Sequence, residues 1–169
     1  MDIFQLAEEL FAEPAPNRLS FGSGRTYCVT KNGEPYLTAE TDCTFHQTCL
    51  PACIWNDMLF LADDRHIHVI QLDTLSHTQM EIRYGYLCRF LPTDDFLLCA
   101  TESQVFALDA QLQRRWETPE IACDGVLFHE HDADGNIVLS CCQDPYPAVW
   151  TEYLLDPRTG RTTALPSDD

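Results

Sequence analysis

Apolar and polar positions alternate along most of this chain in short runs of roughly four to eight residues, the period of strands with one buried face. The runs recur. Residues 56 to 73 read NDMLFLADDRHIHVIQLD and residues 94 to 109 read DDFLLCATESQVFALD. Asn56-Asp57 aligns with Asp94-Asp95, Met58 with Phe96 and Ala62 with Ala100, at a constant offset of 38 positions. A looser copy, GNIVLSCCQDPYPAVWTEYLLD, runs from Gly135 to Asp156. Each copy closes on Leu-Asp: Leu72-Asp73, Leu108-Asp109 and Leu155-Asp156. A period near 40 built of alternating runs marks stacked or radially arranged β units.

The pattern predicts an all-β fold of four short, four-stranded antiparallel repeat units, at about 19–48, 49–84, 85–122 and 123–166. The third unit divides into YLCRFL, FLLCA, QVFALD and QRRWET, and the fourth into VLFHEH, NIVLSCC, AVWTEYLLD and GRTTAL. Turns such as DADG, PRTG and KNG separate them, rich in residues that tolerate left-handed backbone or bond to their own backbone. The first unit, GRTYCVT-KNG-EPYLTAE, is the weakest. Ahead of it, residues 1–18 are expected to form a helix and a proline-containing linker. Asp2 would be the N-cap, Ile3, Leu6, Leu10 and Phe11 the apolar face, and Pro14 and Pro16 the stop.

The stretch VFALDAQLQRRWET, residues 105 to 118, resembles the outer hairpin of a quinoprotein-type β-propeller blade, with an apolar run ending Leu-Asp, a turn and a strand ending Trp-Glu. YLLDPRTGRTTAL is similar to the same hairpin with its Thr-Gly turn, Leu165 standing where the Trp falls, and VIQLDTLSHTQMEI keeps the first half. The resemblance implies a small or partial propeller-like array, closed as a ring or left open and completed by forming a homo-oligomer. It implies no cofactor, since no set of residues matches a quinone site.

Composition narrows the function. The chain has 169 residues, 45% of them hydrophobic, enough to fold without a disulfide or a metal. No apolar run has the length of a membrane span, and the start MDIFQLAEEL is acidic where a secretory leader is basic, so a cytoplasmic protein is expected. The 9 cysteines then read as reduced core thiols. The 27 acidic residues outweigh 10 basic ones, for a net charge of −17. Such a field repels nucleic-acid phosphates and anionic lipid and attracts basic proteins.

Candidate sites follow from the repeats. Asp57, Asp95 and Asp134 occupy the turn before the second strand of successive units, and Asp94 and Asp132 adjoin them, forming an expected acidic rim for a basic partner. Trp55, Tyr146 and Trp150 are the aromatic candidates for lining a carboxylate-bearing ligand pocket. Metal candidates are weaker. His129 and His131 are two apart on a strand, and Cys43, His46, Cys49 and Cys53 lie within eleven residues but without a Cys-x-x-Cys pair. The acids of 132–136 lack the last ligand of a calcium loop. His66 and His68 share a strand face and read as a half-buried strand. No nucleophile elbow, phosphate loop or zinc-protease helix is present. The expectation is a non-enzymatic interaction module, such as an immunity or inhibitor protein, with a sugar- or small-molecule-binding or hydrolysing propeller as the alternative.

Overall fold

The computed structural model describes residues 2–42, 52–83 and 85–166. They form sixteen strands in four sheets of four, and no helix. The chain divides into two compact units, Met1–Ile82 and Arg83–Asp169, each holding two sheets.

Three sheets are antiparallel meanders whose strands pair in chain order. The second sheet holds β5 (Ala52–Trp55), β6 (Met58–Ala62), β7 (His66–Gln71) and β8 (His77–Glu81). The third holds β9 (Leu87–Pro92), β10 (Leu97–Thr101), β11 (Val105–Leu108) and β12 (Arg114–Glu117). The fourth holds β13 (Val126–His131), β14 (Ile137–Pro145), β15 (Ala148–Leu155) and β16 (Thr162–Ala164). Strands β6 and β10 are buried at every position, which is why MLFLA and LLCAT read as continuous apolar runs rather than alternating ones. The last strands are polar and more exposed, as edge strands that must resist pairing with other chains tend to be.

The repeated Leu-Asp has a physical explanation. Leu72, Leu108 and Leu155 are fully buried. The aspartate after two of them folds the next turn: Asp109 Oδ1 accepts from the backbone N–H of Gln111 and Gln113, both at 2.9 Å, and Asp156 Oδ1 accepts from that of Arg158 at 2.9 Å. The Trp-Glu strand end is fixed within its own unit. Trp116 Nε1 donates to Pro157 O at 3.1 Å, and its ring lies where a Cβ on Gly160 would come within 2.4 Å. Gly160 has a φ of +73°, so that position favours glycine on two counts.

The first sheet corrects two expectations. It contains β1 (Phe4–Leu6), β2 (Asn17–Ser20), β3 (Arg25–Lys31) and β4 (Glu34–Thr41), in the order β1-β3-β4-β2. The expected N-terminal helix does not form. Phe4, Gln5 and Leu6 pair antiparallel with Lys31, Thr30 and Val29 along the edge of β3. A lone helix of about eleven residues is marginal in water, whereas an open sheet edge offers a full ladder of backbone bonds. The burial pattern then has period two, with Phe4 and Leu6 partly buried against the core while Ile3 and Leu10 are exposed at 61% and 68%. Asp2 caps nothing. It pairs with Lys31 at 2.8 Å and accepts from Asn32 Nδ2, and the Lys31 bond leads the influences that hold its carboxyl below the usual range. The second correction concerns sheet type, since β2 runs parallel to β4 and the first sheet is therefore mixed.

Each unit has its own core. In the first, Val29, Leu37, Ala39, Leu59, Leu61 and Ile70 pack together. In the second, Leu98, Val105, Ala107, Val126, Ile137 and Leu139 do so. No helix of the described residues is long and apolar enough to cross a membrane.

Candidate functional site

In the second unit, three turns converge on one depression of about 440 Å³. They are the β9–β10 turn with Asp94 and Asp95, the β13–β14 turn with Asp134, and the β15–β16 turn with Asp156 and Arg158. Each is a hairpin turn whose geometry the sequence dictates. Thr93 Oγ1 accepts from Phe96 N at 3.0 Å and donates to Phe96 O at 2.8 Å, leaving Asp94 and Asp95 exposed at the tip. Gly135, with a φ of +83°, closes the β13–β14 turn and leaves Asp134 exposed.

Two aspartates here serve the backbone. Asp132 Oδ1 accepts from the N–H groups of Asp134 and Asn136, both at 2.8 Å, and its Oδ2 accepts from Asn136 Nδ2 at 2.9 Å. Those bonds, the Asn136 amide first, hold its carboxyl below the usual range. Asp156 Oδ2 accepts from Thr159 Oγ1 at 2.7 Å, and that bond, followed by the Arg158 N–H, lowers it likewise. Both are therefore anions at neutral pH. Asp94, Asp95 and Asp134 are the carboxylates whose geometry faces them outward.

The remaining candidates separate. Asp57 lies in the first unit, on the two-residue Asn56-Asp57 turn between β5 and β6, where both residues have positive φ and Asp57 is exposed. Trp55 is buried with its ring tilted against Phe60, so it lines no open surface. Tyr146 and Trp150 sit on the β14–β15 hairpin, exposed at 90% and 45%. A register shift between Phe128 and His131 breaks the alternation that would have paired His129 with His131. His129 Nε2 meets Ser140 Oγ at 2.7 Å, while His131 lines the acidic depression. Cys43, His46 and Cys49 lie outside the described residues. Cys53 is buried, and burial pushes its thiol up, away from the thiolate a metal needs. Burial likewise pushes the Cys141 thiol up to about 12. No group of three or more His, Cys, Asp or Glu is placed to hold a metal among the described residues.

One constellation was not legible in the sequence. In the first unit, Asp63 Oδ2 meets His68 Nε2 at 2.8 Å, and His68 Nδ1 meets His77 Nε2 at 3.1 Å. Phe21 stacks on both rings, with centroids 4.5 Å from His68 and 4.3 Å from His77. Asp63 is partly buried, His68 buried and His77 exposed, so the chain runs through a buried imidazole to the surface. Alternation shows His66 and His68 on one face, but only the β7–β8 register brings His77 beside them.

No family model matches the sequence, and no curated protein matches it. Similar folds occur among solved structures. The computationally designed Ika4 protein superposes with a TM-score of 0.54 at 12% identity, over 75% of this chain and 76% of that one. A chain in the complex of KlAtg21 with the coiled coil of AgAtg16 gives 0.51 at 8% identity, over 67% of this chain. This chain spans 39% of that one. At such identities the likeness is one of fold alone.

Proposed function

We propose that this protein is a non-enzymatic interaction module that binds a basic protein at the acidic depression of its second unit. The observation that carries the proposal is the convergence there of Asp94, Asp95, Asp134 and Asp156 from three separate turns, against the single guanidinium of Arg158. Four carboxylates around one concavity, in a chain of net charge −17, create a negative potential that draws in lysine- and arginine-rich surfaces. Individual exposed ion pairs contribute only about 0.2–1 kcal/mol each, so the main effects are faster encounter and discrimination against acidic partners. An immunity or inhibitor role toward a cationic, cytoplasmic target is the concrete form of this reading.

The sequential four-strand meanders support assigning the last three units as propeller-like blades, and the quinoprotein-type hairpin pattern belongs to the same proposal. The alternative of a carboxylate–aromatic ligand pocket has less behind it, because Trp55 is buried among core residues.

The test is capture of partners from lysate at low and at high salt, with wild type beside the Asp94→Lys, Asp95→Lys, Asp134→Lys triple variant. A basic protein retained at low salt by the wild type and lost by the variant is expected. Equal capture by both would remove the depression as the binding site.

A further inference from the structure

We propose that the Asp63–His68–His77 chain is an acid-operated latch. It ties β8, the edge strand of the second sheet, to Phe21 and to the partly buried Asp63, and it lets go when both imidazoles carry two protons.

The hydrogen-bond arithmetic sets the rule. Asp63 Oδ1 already accepts from the N–H groups of Arg65 at 2.7 Å and His66 at 2.5 Å, and Oδ2 faces His68 Nε2. Burial works to raise the Asp63 carboxyl, but these bonds, with the Arg65 N–H leading and the His68 bond next, bring it below the usual range, so it is an anion. An anionic acceptor requires a proton on His68 Nε2. In the neutral ring that leaves Nδ1 bare, to accept from Nε2–H of His77. The outward Nδ1 of His77 is then the open proton acceptor.

A first proton preserves every bond, because His77 can take it at Nδ1 and still donate from Nε2. One imidazolium beneath the Phe21 face is also favourable. A second proton cannot be accommodated. With both rings fully protonated, an N–H of His68 points at an N–H of His77 across 3.1 Å, and two cations share one carboxylate. The ring–ring bond then breaks.

The neighbouring groups set how sharply it breaks. From the β6–β7 turn, Asp63 is the carboxylate facing the pair; Asp64 is partly buried beside it and Arg65 is exposed. On β7, His66 Nδ1 lies 3.4 Å from the same Asp63 Oδ2, and its ring is 6.2 Å from that of His68. On β8, Gln79 is opposite His68 and Glu81 is opposite His66. From β6, Leu61 is opposite His68, and Phe21 covers the rings. One carboxylate thus serves two histidines, His66 and His68. Burial first, and then the charge of His68, lower the pKa of His77. A lowered histidine stabilises the fold above its ordinary value of 6.5, and that stability is lost as pH falls through the folded value.

Strand β8 is the element released. Its side chains are mostly exposed, Met80 alone being partly buried, and beyond the backbone ladder to β7 the His77 ring adds the bond to His68. The register sets the Thr78 and Met80 amides opposite Val69 and Ile67, where they report on that ladder.

The test is an NMR titration of the full chain from neutral to mildly acid pH, following the ring protons of His68 and His77 and the exchange protection of the Thr78 and Met80 amides. The expected result is two coupled titration steps, with protection falling at least about tenfold across the second. His77→Gln can donate the same hydrogen bond but cannot take the proton, so it should retain protection across the range. His66→Gln should keep the two-step behaviour. Independent titration of the two histidines, or an equal loss of protection in His77→Gln, would overturn the latch.

Discussion

Asp63 in the first unit and Asp132 in the second each lead a hairpin turn, one residue longer in the second, and differ in what their second oxygen meets. In both, Oδ1 accepts backbone N–H groups just downstream, from Arg65 and His66 in one and from Asp134 and Asn136 in the other. In the second unit, Oδ2 is satisfied locally by the Asn136 amide, and the turn projects Asp134 into an open depression. In the first, Oδ2 reaches the buried ring of His68, which Phe21 covers. An aspartate-led turn thus serves either as a scaffold for exposed charge or as the fixed end of a relay that passes through a buried imidazole. The choice is made by a neighbour several residues away.

The comparison can be broken from either side. Asp63→Ala should have the larger effect, removing the turn acceptor and orphaning a buried imidazole. A loss of about 2–3 kcal/mol in denaturant unfolding is expected, the penalty for unsatisfied buried polar groups. Asp63→Asn keeps the turn acceptor and should cost less, about 1 kcal/mol. Trp116→Phe keeps the ring packing at the other Asp-led hairpin but loses the bond to Pro157 O, at about 1 kcal/mol by the same reasoning. Asp132→Ala should lower the melting temperature by less than Asp63→Ala, because its bonds compete with water. Asp134→Ala should leave it unchanged. A larger effect at Asp134 than at Asp132 would reverse the assignment of scaffold and exposed acid.

The same contrast has a pH signature. Asp132 and Asp156 sit below their ordinary value of 3.8. Their contribution to stability is therefore complete above that value and fades as pH falls through the folded values. Thermal melts should show Asp132→Ala converging on wild type in strong acid while remaining below it at neutral pH.

The fold was largely legible because its rules are local. Alternation marked the strands, and the recurring Leu-Asp marked a buried leucine followed, in two of the three copies, by a turn-forming carboxylate. The N-terminal stretch misled because Ile3, Leu6, Leu10 and Phe11 fit a helical spacing while Phe4 and Leu6 fit an extended one. Only the open edge of β3 decides between them. At the depression, repeat alignment located Asp94, Asp95 and Asp134. It aligned Asp156 only as the residue that closes a copy, because Asp156 belongs to a different turn of its sheet. His77 was out of reach because it is nine positions from His68 in the chain and becomes its neighbour only through strand register.

The central claim is that the depression is an electrostatic docking site, and the salt dependence of association tests it most directly. The partner captured at low salt would be purified and its association rate measured across ionic strength, with wild type and with the Asp94→Lys, Asp95→Lys, Asp134→Lys variant. The account predicts a rate that falls steeply with salt for the wild type, and a slower rate with a flattened slope for the variant. Equal rates and equal slopes for the two proteins would contradict it.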